Sequence, residues 1–288
     1  MSARLRETAR RTEEIVAAGR YDAPGGSRAE GHGGGREVTI GPAVAAALAG
    51  TRMFGPEPLP VTPDTDRTTR IEVTGESSLE AARRLTGAAP DRPVAVLNFA
   101  SARNPGGGYL NGAQAQEEAV CRASALYATL LRAPEFYDHH RTERSPFYTD
   151  RVIHSPGVPV FRDDRGRLLD SPYTVGFLTS PAPNAGVIRS RMPEEAHRIP
   201  AALTSRAERV LETAVAGGYR RLVLGAWGCG VFRNDPARVA GAFRSLLTGR
   251  GRFAGHFDEI VFAVLDRTAG ATTLGAFRDA FADSAQAY

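Results

Sequence analysis

The sequence predicts an α/β protein, a three-layer α/β/α sandwich in which helices cover both faces of a mixed sheet. Segments with the apolar composition of strands alternate along the chain with segments that have the amphipathic pattern of helices. The segment 92–100 is almost continuously apolar, which is typical of a strand buried on both faces. No internal repeat divides the chain. We therefore expect one structural unit, in which an N-terminal helical extension (1–90) packs on a core formed by 91–288.

The N-terminal ninety residues are predicted to contain three helices and two strands. An amphipathic helix over 3–19 is followed by a glycine-rich connection that includes Gly33–Gly35. The helix 77–87 is predicted to have Ser78 as its cap and Glu80 in its first turn. The remaining elements predicted in this part are the strands 37–40 and 69–75 and an alanine-rich helix over 41–48.

The later elements continue the alternation. A strong helix is predicted over 117–131, and a long segment rich in proline and tyrosine (133–172) contains a predicted strand at 151–163. Asp235 and Pro236 have the residue types that favour the N-cap and first position of a helix. The other predicted elements are the strands 173–183, 220–224 and 257–266 and the helices 193–218, 235–249 and 272–285.

Composition argues against several classes of function. No apolar run approaches the roughly 20 residues of a membrane span, and the N-terminal segment lacks a secretion signal, so we expect a cytoplasmic protein with no membrane partner. All 36 basic residues are arginine, which indicates codon bias more than selection for phosphate contacts. Nucleic acid is therefore not the expected main partner. Cys121 and Cys229 lie far apart without metal-ligand spacing, and no structural metal is expected.

Gly106–Gly108 form a glycine triplet between the buried strand 92–100 and the helix 117–131. Ligands of open α/β sheets bind beyond the carboxyl ends of the strands, where such loops lead into helices. Glycine lets backbone N–H groups come close to a ligand and accepts a positive φ without penalty. The earlier triplet, Gly33–Gly35, follows no buried strand and is interpreted as a flexible linker.

Polar side chains surround the later triplet. The amides of Asn98, Asn104 and Gln116 can hydrogen-bond sugar hydroxyls, and Glu117 and Glu118 stand at the start of the following helix. Two acids in a first turn can also simply favour the helix dipole, by about 0.3–1 kcal/mol. The residues alone leave both interpretations open.

A second glycine-rich loop follows the strand 220–224 and precedes the helix at Asp235. Its glycines, Gly228 and Gly230 among them, could form an amide nest for a phosphate or pyrophosphate, with Phe232 stacking at the rim on a base or ribose. The alternative is a tight turn that buries Trp227 and Phe232 in the core. Neither loop has the spacing of a dinucleotide-binding fingerprint or a P-loop.

The segment GGGYLNGAQAQEE (106–118) resembles the signature of poly(ADP-ribose) glycohydrolases, most closely the shorter bacterial-type enzymes. The likeness extends to RETARRTEEIVAAGRY near the N-terminus, to VAVLNFASARNPGGG and to LGAWGCGVFRNDP. This resemblance implies a macrodomain-like fold. It also implies hydrolysis of the ribose–ribose O-glycosidic bonds of poly(ADP-ribose), with release of ADP-ribose from the polymer end.

The resemblance also implies the roles of individual residues. Glu118 would be the catalytic acid, and Glu117 would hold the hydroxyls of the ribose being cleaved. The substrate-binding residues would be Asn104, Gly106, Gly107, Gly108 and Gln116 in the first segment and Gly228, Cys229, Gly230, Val231 and Phe232 in the second. No cofactor and no metal are implied.

This assignment agrees with the chemistry of the bond. Its cleavage passes through an oxocarbenium-like state, and the leaving hydroxyl needs a proton. A carboxyl group that is partly dehydrated beside a second carboxylate has a raised pKa and can supply that proton. The alternatives are a hydrolase of mono-ADP-ribose on modified protein or nucleic acid, and a non-catalytic ADP-ribose-binding macrodomain. A protein that only binds ADP-ribose has no need of the paired acids.

Overall fold

The computed structural model describes residues 2–24 and 36–284. Its helices are α1 (Ala3–Ala18), α2 (Gly41–Gly50), α3 (Ser78–Ala88), α4 (Gln116–Ala123), α5 (Leu126–Leu130), α6 (Pro134–Glu143), α7 (Ala185–Arg191), α8 (Ile199–Ala216), α9 (Pro236–Leu247) and α10 (Thr272–Ala280). Its strands are β1 (Arg20–Ala23), β2 (Arg36–Thr39), β3 (Arg52–Phe54), β4 (Arg70–Thr74), β5 (Val94–Phe99), β6 (Val152–Arg162), β7 (Leu168–Ser180), β8 (Arg221–Gly225) and β9 (Glu259–Ala263).

A seven-stranded mixed sheet runs through the molecule in the order β3-β6-β7-β5-β8-β9-β4. The five strands from β7 to β4 are parallel to one another, whereas β6 is antiparallel to β7 and β3 is antiparallel to β6. A separate antiparallel pair is formed by β1 and β2. Parallel strands have their carboxyl ends at the same edge of a sheet, so the loops after β5, β7 and β8 meet there.

The central strand β5 is buried on both faces, as its apolar sequence predicts. Val94 and Val96 belong to one hydrophobic cluster, and Ala95 and Leu97 belong to the other, because successive side chains point to opposite faces. The first cluster includes buried residues of α1 to α6, and the second includes buried residues of α7 to α10. The prediction of a mixed sheet between two helical layers is confirmed.

The segment 1–90 is built into this sheet. It supplies both edge strands, β3 and β4, and α3 packs Ala82 and Leu85 into the cluster that covers β5. The division after residue 90 stays a prediction. The described residues contain no helix that is long and apolar enough to cross a membrane, and the triplet Gly33–Gly35 lies outside the described residues.

The helix predicted over 117–131 is wrong as a single element, because it breaks after Ala123. Ser124 takes an extended backbone conformation and forms a β-bridge with Val160 of β6. Ala125 then donates its N–H to the carbonyl of Pro159 at 3.1 Å. Contact with a strand distant in sequence therefore divides the helix, although its local propensity is continuous.

Other elements lie where the sequence predicts no separate element. These are β1, β3, α6 and α7, which are short or lie in segments rich in proline and polar residues. The predicted cap of α3 is also one residue off. Ser77, not Ser78, is the N-cap: its hydroxyl accepts from the N–H of Glu80 at 3.1 Å, and the Glu80 carboxylate accepts from the N–H of Ser77 at 3.0 Å.

We expect Ser77→Ala to lower the free energy of unfolding by about 1 kcal/mol, because the N–H of Glu80 loses its acceptor. Ser77→Thr keeps a hydroxyl at this position and should stay within a few tenths of a kcal/mol of the wild type. Urea unfolding monitored by circular dichroism measures both variants. Equal stability of the alanine and threonine variants would contradict the assignment of the cap.

Candidate active site

Two loops leave the carboxyl edge of the sheet side by side. The glycine loop (100–115) joins β5 to α4, and the second loop (226–235) joins β8 to α9. Both are attached to the end of β7, since the carbonyl of Ser180 accepts from the N–H of Ala100 at 3.2 Å and from the indole Nε1 of Trp227 at 2.9 Å. The tertiary structure thus brings the two sequence motifs to one place.

Glu118 is held by the backbone of the glycine loop. One of its carboxylate oxygens accepts from the N–H of Gly108 at 2.9 Å, and the other accepts from the N–H of Ala115 at 2.8 Å. The second bond is the one that a glutamate at the third helical position makes to its N-cap residue. The side chain is 7% exposed. Its orientation is therefore fixed by the loop.

Glu117 points deeper into the protein and is 2% exposed. Its carboxyl group accepts from Nδ2 of Asn98 at 3.2 Å and from the N–H of Ser101 at 2.7 Å. Burial raises the pKa of Glu117 to about 8, although these hydrogen bonds act in the opposite direction. Glu117 therefore carries a proton at neutral pH. The sequence predicts a raised pKa for the catalytic acid Glu118, whereas the raised pKa found here belongs to its neighbour Glu117.

Both carboxyl groups converge on Gly107. A Cβ atom placed on this residue would lie 2.5 Å from Oε1 of Glu118 and 3.1 Å from Oε2 of Glu117. The backbone φ of Gly107 is 59°, a conformation that side chains other than glycine rarely adopt. Glycine is required here both for its φ and for the space that the two acids occupy.

The amides predicted as sugar ligands differ in position. Asn104 is exposed on the glycine loop, whereas Asn98 is fully buried beneath Glu117. Gln116 uses its side chain within the protein: it accepts from the N–H of Phe99 at 2.9 Å and donates to the carbonyl of Leu97 at 2.9 Å. Gln116 thus ties the start of α4 to the end of β5.

The second loop has a buried base and an exposed tip. At its base, Trp227 is buried and Asn234 donates to the carbonyl of Pro183 at 2.8 Å. Gly228 has a φ of 69°, and a Cβ there would collide with the side chain of Ala182. At its tip, Gly230 is exposed and Val231 is 80% exposed. Trp227 is buried as the tight-turn alternative predicts, whereas Phe232 is only half-buried, and the amide nest at the tip stays a prediction.

Phe232 is half-buried beside this tip and contacts Tyr148, with the ring centroids 5.8 Å apart. Tyr148 has a φ of 57°, and Arg233, which follows Phe232, has a φ of 56°. Such values are uncommon outside glycine and concentrate at functional sites. Tyr148 is not among the site residues predicted from the two motifs, and 84 positions separate it from Phe232 in the sequence.

The N-terminal helix α1 supports the glycine loop from outside. Tyr109 is completely buried, and its hydroxyl donates to a carboxylate oxygen of Glu13 at 2.8 Å. Burial raises the pKa of Glu13. Thr12 of the same helix donates to the carbonyl of Arg122 in α4 at 2.8 Å. No local pattern in the sequence links these residues.

The described residues indicate neither a reactive thiolate nor a metal centre beside the acid pair. Burial raises the pKa of the Cys229 thiol to about 12, so it is not a thiolate at neutral pH. Within residues 2–24 and 36–284 no three His, Cys, Asp or Glu side chains are grouped as ligands for a metal ion.

Known proteins with the same sequence pattern and fold are glycohydrolases. Residues 9–163 match the model of the microbial-type PARG catalytic domain, where PARG denotes poly(ADP-ribose) glycohydrolase. No curated protein matches the chain. The chain belongs to the microbial-type poly(ADP-ribose) glycohydrolase family. It is a glycosidase that hydrolyses poly(ADP-ribose), as the resemblance in the sequence implies.

Solved structures of bacterial poly(ADP-ribose) glycohydrolases are similar over almost the whole chain. The enzyme from Thermomonospora curvata is 52% identical, with a TM-score of 0.89 over 97% of this chain and 100% of that one. Its structure with the inhibitor ADP-HPD is 53% identical, with a TM-score of 0.87 over 96% and 99% of the two chains. The enzyme from Deinococcus radiodurans in complex with ADP-ribose is 46% identical, with a TM-score of 0.78 over 84% and 97%.

We expect Gly107→Ala to abolish release of ADP-ribose from polymer, because the new methyl group displaces the carboxylate of Glu118. The positive φ adds about 1–2 kcal/mol of destabilisation. Gly87→Ala in α3 is the matched control, since nothing lies within 4 Å of a Cβ at that position. It should keep full activity. Turnover and urea unfolding are measured for both variants, and an active Gly107→Ala enzyme would contradict this geometry.

The raised pKa of Glu117 also predicts a pH dependence of stability. The folded protein keeps a proton on Glu117 up to about pH 8, whereas the ordinary pKa of this side chain is 4.5. The stability that the protonated form contributes is therefore complete below pH 4.5 and is lost as the pH rises through 8. Relative to the always neutral Glu117→Gln, the wild type should lose about 4 kcal/mol between pH 5 and pH 9.

Urea unfolding of both proteins between pH 5 and 9 measures this difference. Titrating groups remote from Glu117 are common to the two proteins, so their contributions cancel in the comparison. A constant difference in the free energy of unfolding across this range would show that Glu117 titrates near its ordinary value.

Proposed function

We propose that this glycohydrolase cleaves the terminal ribose–ribose bond of poly(ADP-ribose), with Glu118 as general acid and then general base, and releases ADP-ribose. The observation that supports this most directly is the convergence of two buried carboxyl groups on Gly107 in a loop at the carboxyl edge of the sheet. A fixed and largely dehydrated acid pair suits proton transfer to a glycosidic oxygen.

Glu117 and Glu118 have different roles in this proposal. Glu117, which is protonated at neutral pH, hydrogen-bonds the hydroxyls of the ribose being cleaved. Glu118 enters the reaction in its protonated form and gives this proton to the oxygen of the leaving hydroxyl as the C–O bond breaks and an oxocarbenium-like ribose forms. The resulting carboxylate then takes a proton from the water that attacks the same carbon. Because both side chains flank Gly107, they act as one coupled site.

The second loop is the better candidate for binding the diphosphate through its amides. In the glycine loop, the N–H of Gly107 donates to the carbonyl of Asn104 and the N–H of Gly108 donates to Glu118. At the tip of the second loop, the N–H of Val231 donates to no group among the described residues. Gly106–Gly108 would then contribute a bare surface against which the diphosphate and ribose pack.

Solved structures of related bacterial enzymes in complex with ADP-ribose and with the inhibitor ADP-HPD support ADP-ribose as the ligand of this site. Asn104 would contact the ribose near the acids, and Gly228 to Val231 would surround the diphosphate. Phe232 would pack against the second ribose and cover the hydroxyl through which a polymer continues. A covered hydroxyl favours cleavage from the end of the chain.

We expect Glu118→Gln to lower kcat for release of ADP-ribose by about 10²–10⁴-fold, the range for removing a general acid–base. The Kd for ADP-ribose should change by only a few fold, because glutamine keeps the size of the side chain. Glu135→Gln is the matched control, since Glu135 is an exposed acid in the first turn of α6. Wild-type turnover by Glu118→Gln would overturn the mechanism.

The choice of substrate distinguishes the proposed cleavage of polymer ends from hydrolysis of single ADP-ribose units on protein. The assay compares defined-length poly(ADP-ribose) with a protein that carries single ADP-ribose units, and products are separated by length. We expect free ADP-ribose as the first product from the polymer and no release of the single units. Short oligomers as first products would indicate internal cleavage.

A further inference from the structure

Arg122 is a buried cation that follows Glu118 by one turn of α4. Residues four positions apart face the same side of a helix, with their Cβ atoms about 5–6 Å apart. Arg122 is 9% exposed, and its Nη1 donates to the carbonyl of Ala113 at 2.6 Å. Glu118 and Arg122 are therefore neighbours on one face of α4, and both side chains are bonded to the glycine loop.

A continuous run of hydrogen bonds joins the guanidinium of Arg122 to the carboxylate of Glu118. Arg122 holds the carbonyl of Ala113, the N–H of Ala113 donates to the carbonyl of Gly108 at 3.1 Å, and the N–H of Gly108 donates to Glu118 at 2.9 Å. A Cβ placed on Gly108 would lie 2.7 Å from the Cβ of Ala113 and 3.6 Å from Oε1 of Glu118. Arg122 thus closes the glycine loop around Glu118.

Burial of a cation is costly unless an acid or hydrogen bonds compensate for the lost water. Five arginines are buried among the described residues, and three of them are paired with a carboxylate: Arg206 with Asp150, Arg209 with Glu212 and Arg221 with Glu259. Within the same part of the chain, Arg122 has no carboxylate at salt-bridge distance. Burial lowers the pKa of Arg122, and the charge of Glu118 acts in the opposite direction. Arginine nevertheless stays charged in proteins, so a positive charge is held beside the acid pair.

The other titratable groups near Glu118 lie on its own helix, on the glycine loop and on the elements packed against α4. They are Glu117 and Cys121 on α4, Tyr109 on the loop, Glu13 on α1, Tyr127 on α5 and Arg162 on β6. Burial raises the pKa of the Cys121 thiol, of Tyr109 and of Tyr127, so these groups are neutral at pH 7. Arg162 donates to Thr12 and to the carbonyl of Gly166. Arg122 is the cation on the face of α4 that carries Glu118.

We propose that Arg122 is a positioning residue for cleavage of the glycosidic bond: it closes the glycine loop on Glu118, and its charge stabilises the carboxylate that Glu118 becomes when it gives up its proton. This role rests on the function proposed above, in which Glu118 is the acid. The proton passes from Glu118 to the leaving oxygen, and the carboxylate later takes a proton from water. Arg122 keeps its own protons throughout, and its charge makes the first transfer more favourable.

Two substitutions in the full-length protein separate the charge of Arg122 from its hydrogen bond. Arg122→Gln keeps an N–H donor and removes the charge, whereas Arg122→Lys keeps the charge on a different donor group. Arg221→Gln is the matched control, since Arg221 is also buried and donates to a backbone carbonyl, that of Leu85 at 2.7 Å. Arg221 begins β8 and therefore lies at the amino edge of the sheet, away from both loops.

For each protein, kcat and KM for release of ADP-ribose from polymer are measured as a function of pH, together with urea unfolding. We expect Arg122→Gln to lower kcat by about 10-fold with little change in KM, because the acid loses the charge that favours its ionisation. The alkaline limb of the kcat profile, where the acid pair loses a proton, should move to higher pH by about one unit, since a nearby positive charge favours deprotonation. Arg122→Lys should keep this limb at the wild-type pH.

Arg221→Gln should lower the stability and leave the kcat profile unchanged. A cation in the last turn of a helix also favours the helix dipole, but that role alone would change stability and leave the alkaline limb in place. An unmoved limb in Arg122→Gln, or a moved limb in Arg122→Lys, would therefore overturn the proposal.

If Arg122→Gln does not fold, Arg122→Met fills a similar apolar volume without charge, and the same shift of the limb is expected. Glu118→Gln is measured in parallel to separate the two proposals. Wild-type turnover by Glu118→Gln would contradict the proposed function, whereas an inactive Glu118→Gln with an unmoved limb in the neutral Arg122 variant would contradict only the role of Arg122.

Discussion

The capture of two adjacent carboxyl groups by the backbone of one loop determines the organisation of the site. Glu118 accepts from Gly108 and Ala115, and Glu117 accepts from Ser101. These bonds fix the orientation of the two acids. They also fix the loop, because the carboxyl groups accept from loop amides that would otherwise have no partner. Glycine at Gly107 is the condition for this arrangement, since both carboxyl groups occupy the space of a side chain there.

The rest of the fold keeps that loop in place. Gln116 joins α4 to the end of β5, and Tyr109 joins the loop to Glu13 of α1. The N-terminal segment therefore has a direct role at the site in addition to providing the two edge strands. A buried Tyr–Glu hydrogen bond at this position resists movement of the loop that orients the acids, because breaking it would leave both groups unpaired.

The backbone amides of the two loops at the carboxyl edge differ in their hydrogen-bond partners. The amides of the glycine loop donate to the two acids and to carbonyls within the loop, whereas the tip of the second loop exposes an amide that has no partner among the described residues. In the proposed function, catalytic geometry and binding of the anionic substrate therefore belong to separate segments. Burial excludes water from the two acids, and the same burial raises the pKa of Glu117.

The sequence by itself determined the α/β class, the buried strand β5, the N-cap at Asp235 and the two glycine loops, because these depend on local composition and periodicity. It also placed Glu117 and Glu118 at a helix start, and the family signature indicated the activity.

Only the tertiary structure decided where α4 ends and which distant residues contact the two loops. The break at Ser124 comes from pairing with Val160, and the partners Glu13 and Tyr148 lie far from the loops in sequence. Contacts of this kind carry no periodic signal, since they depend on how distant segments pack. The same packing dehydrates Glu117, which is why its pKa could be assigned to that residue only in the folded chain.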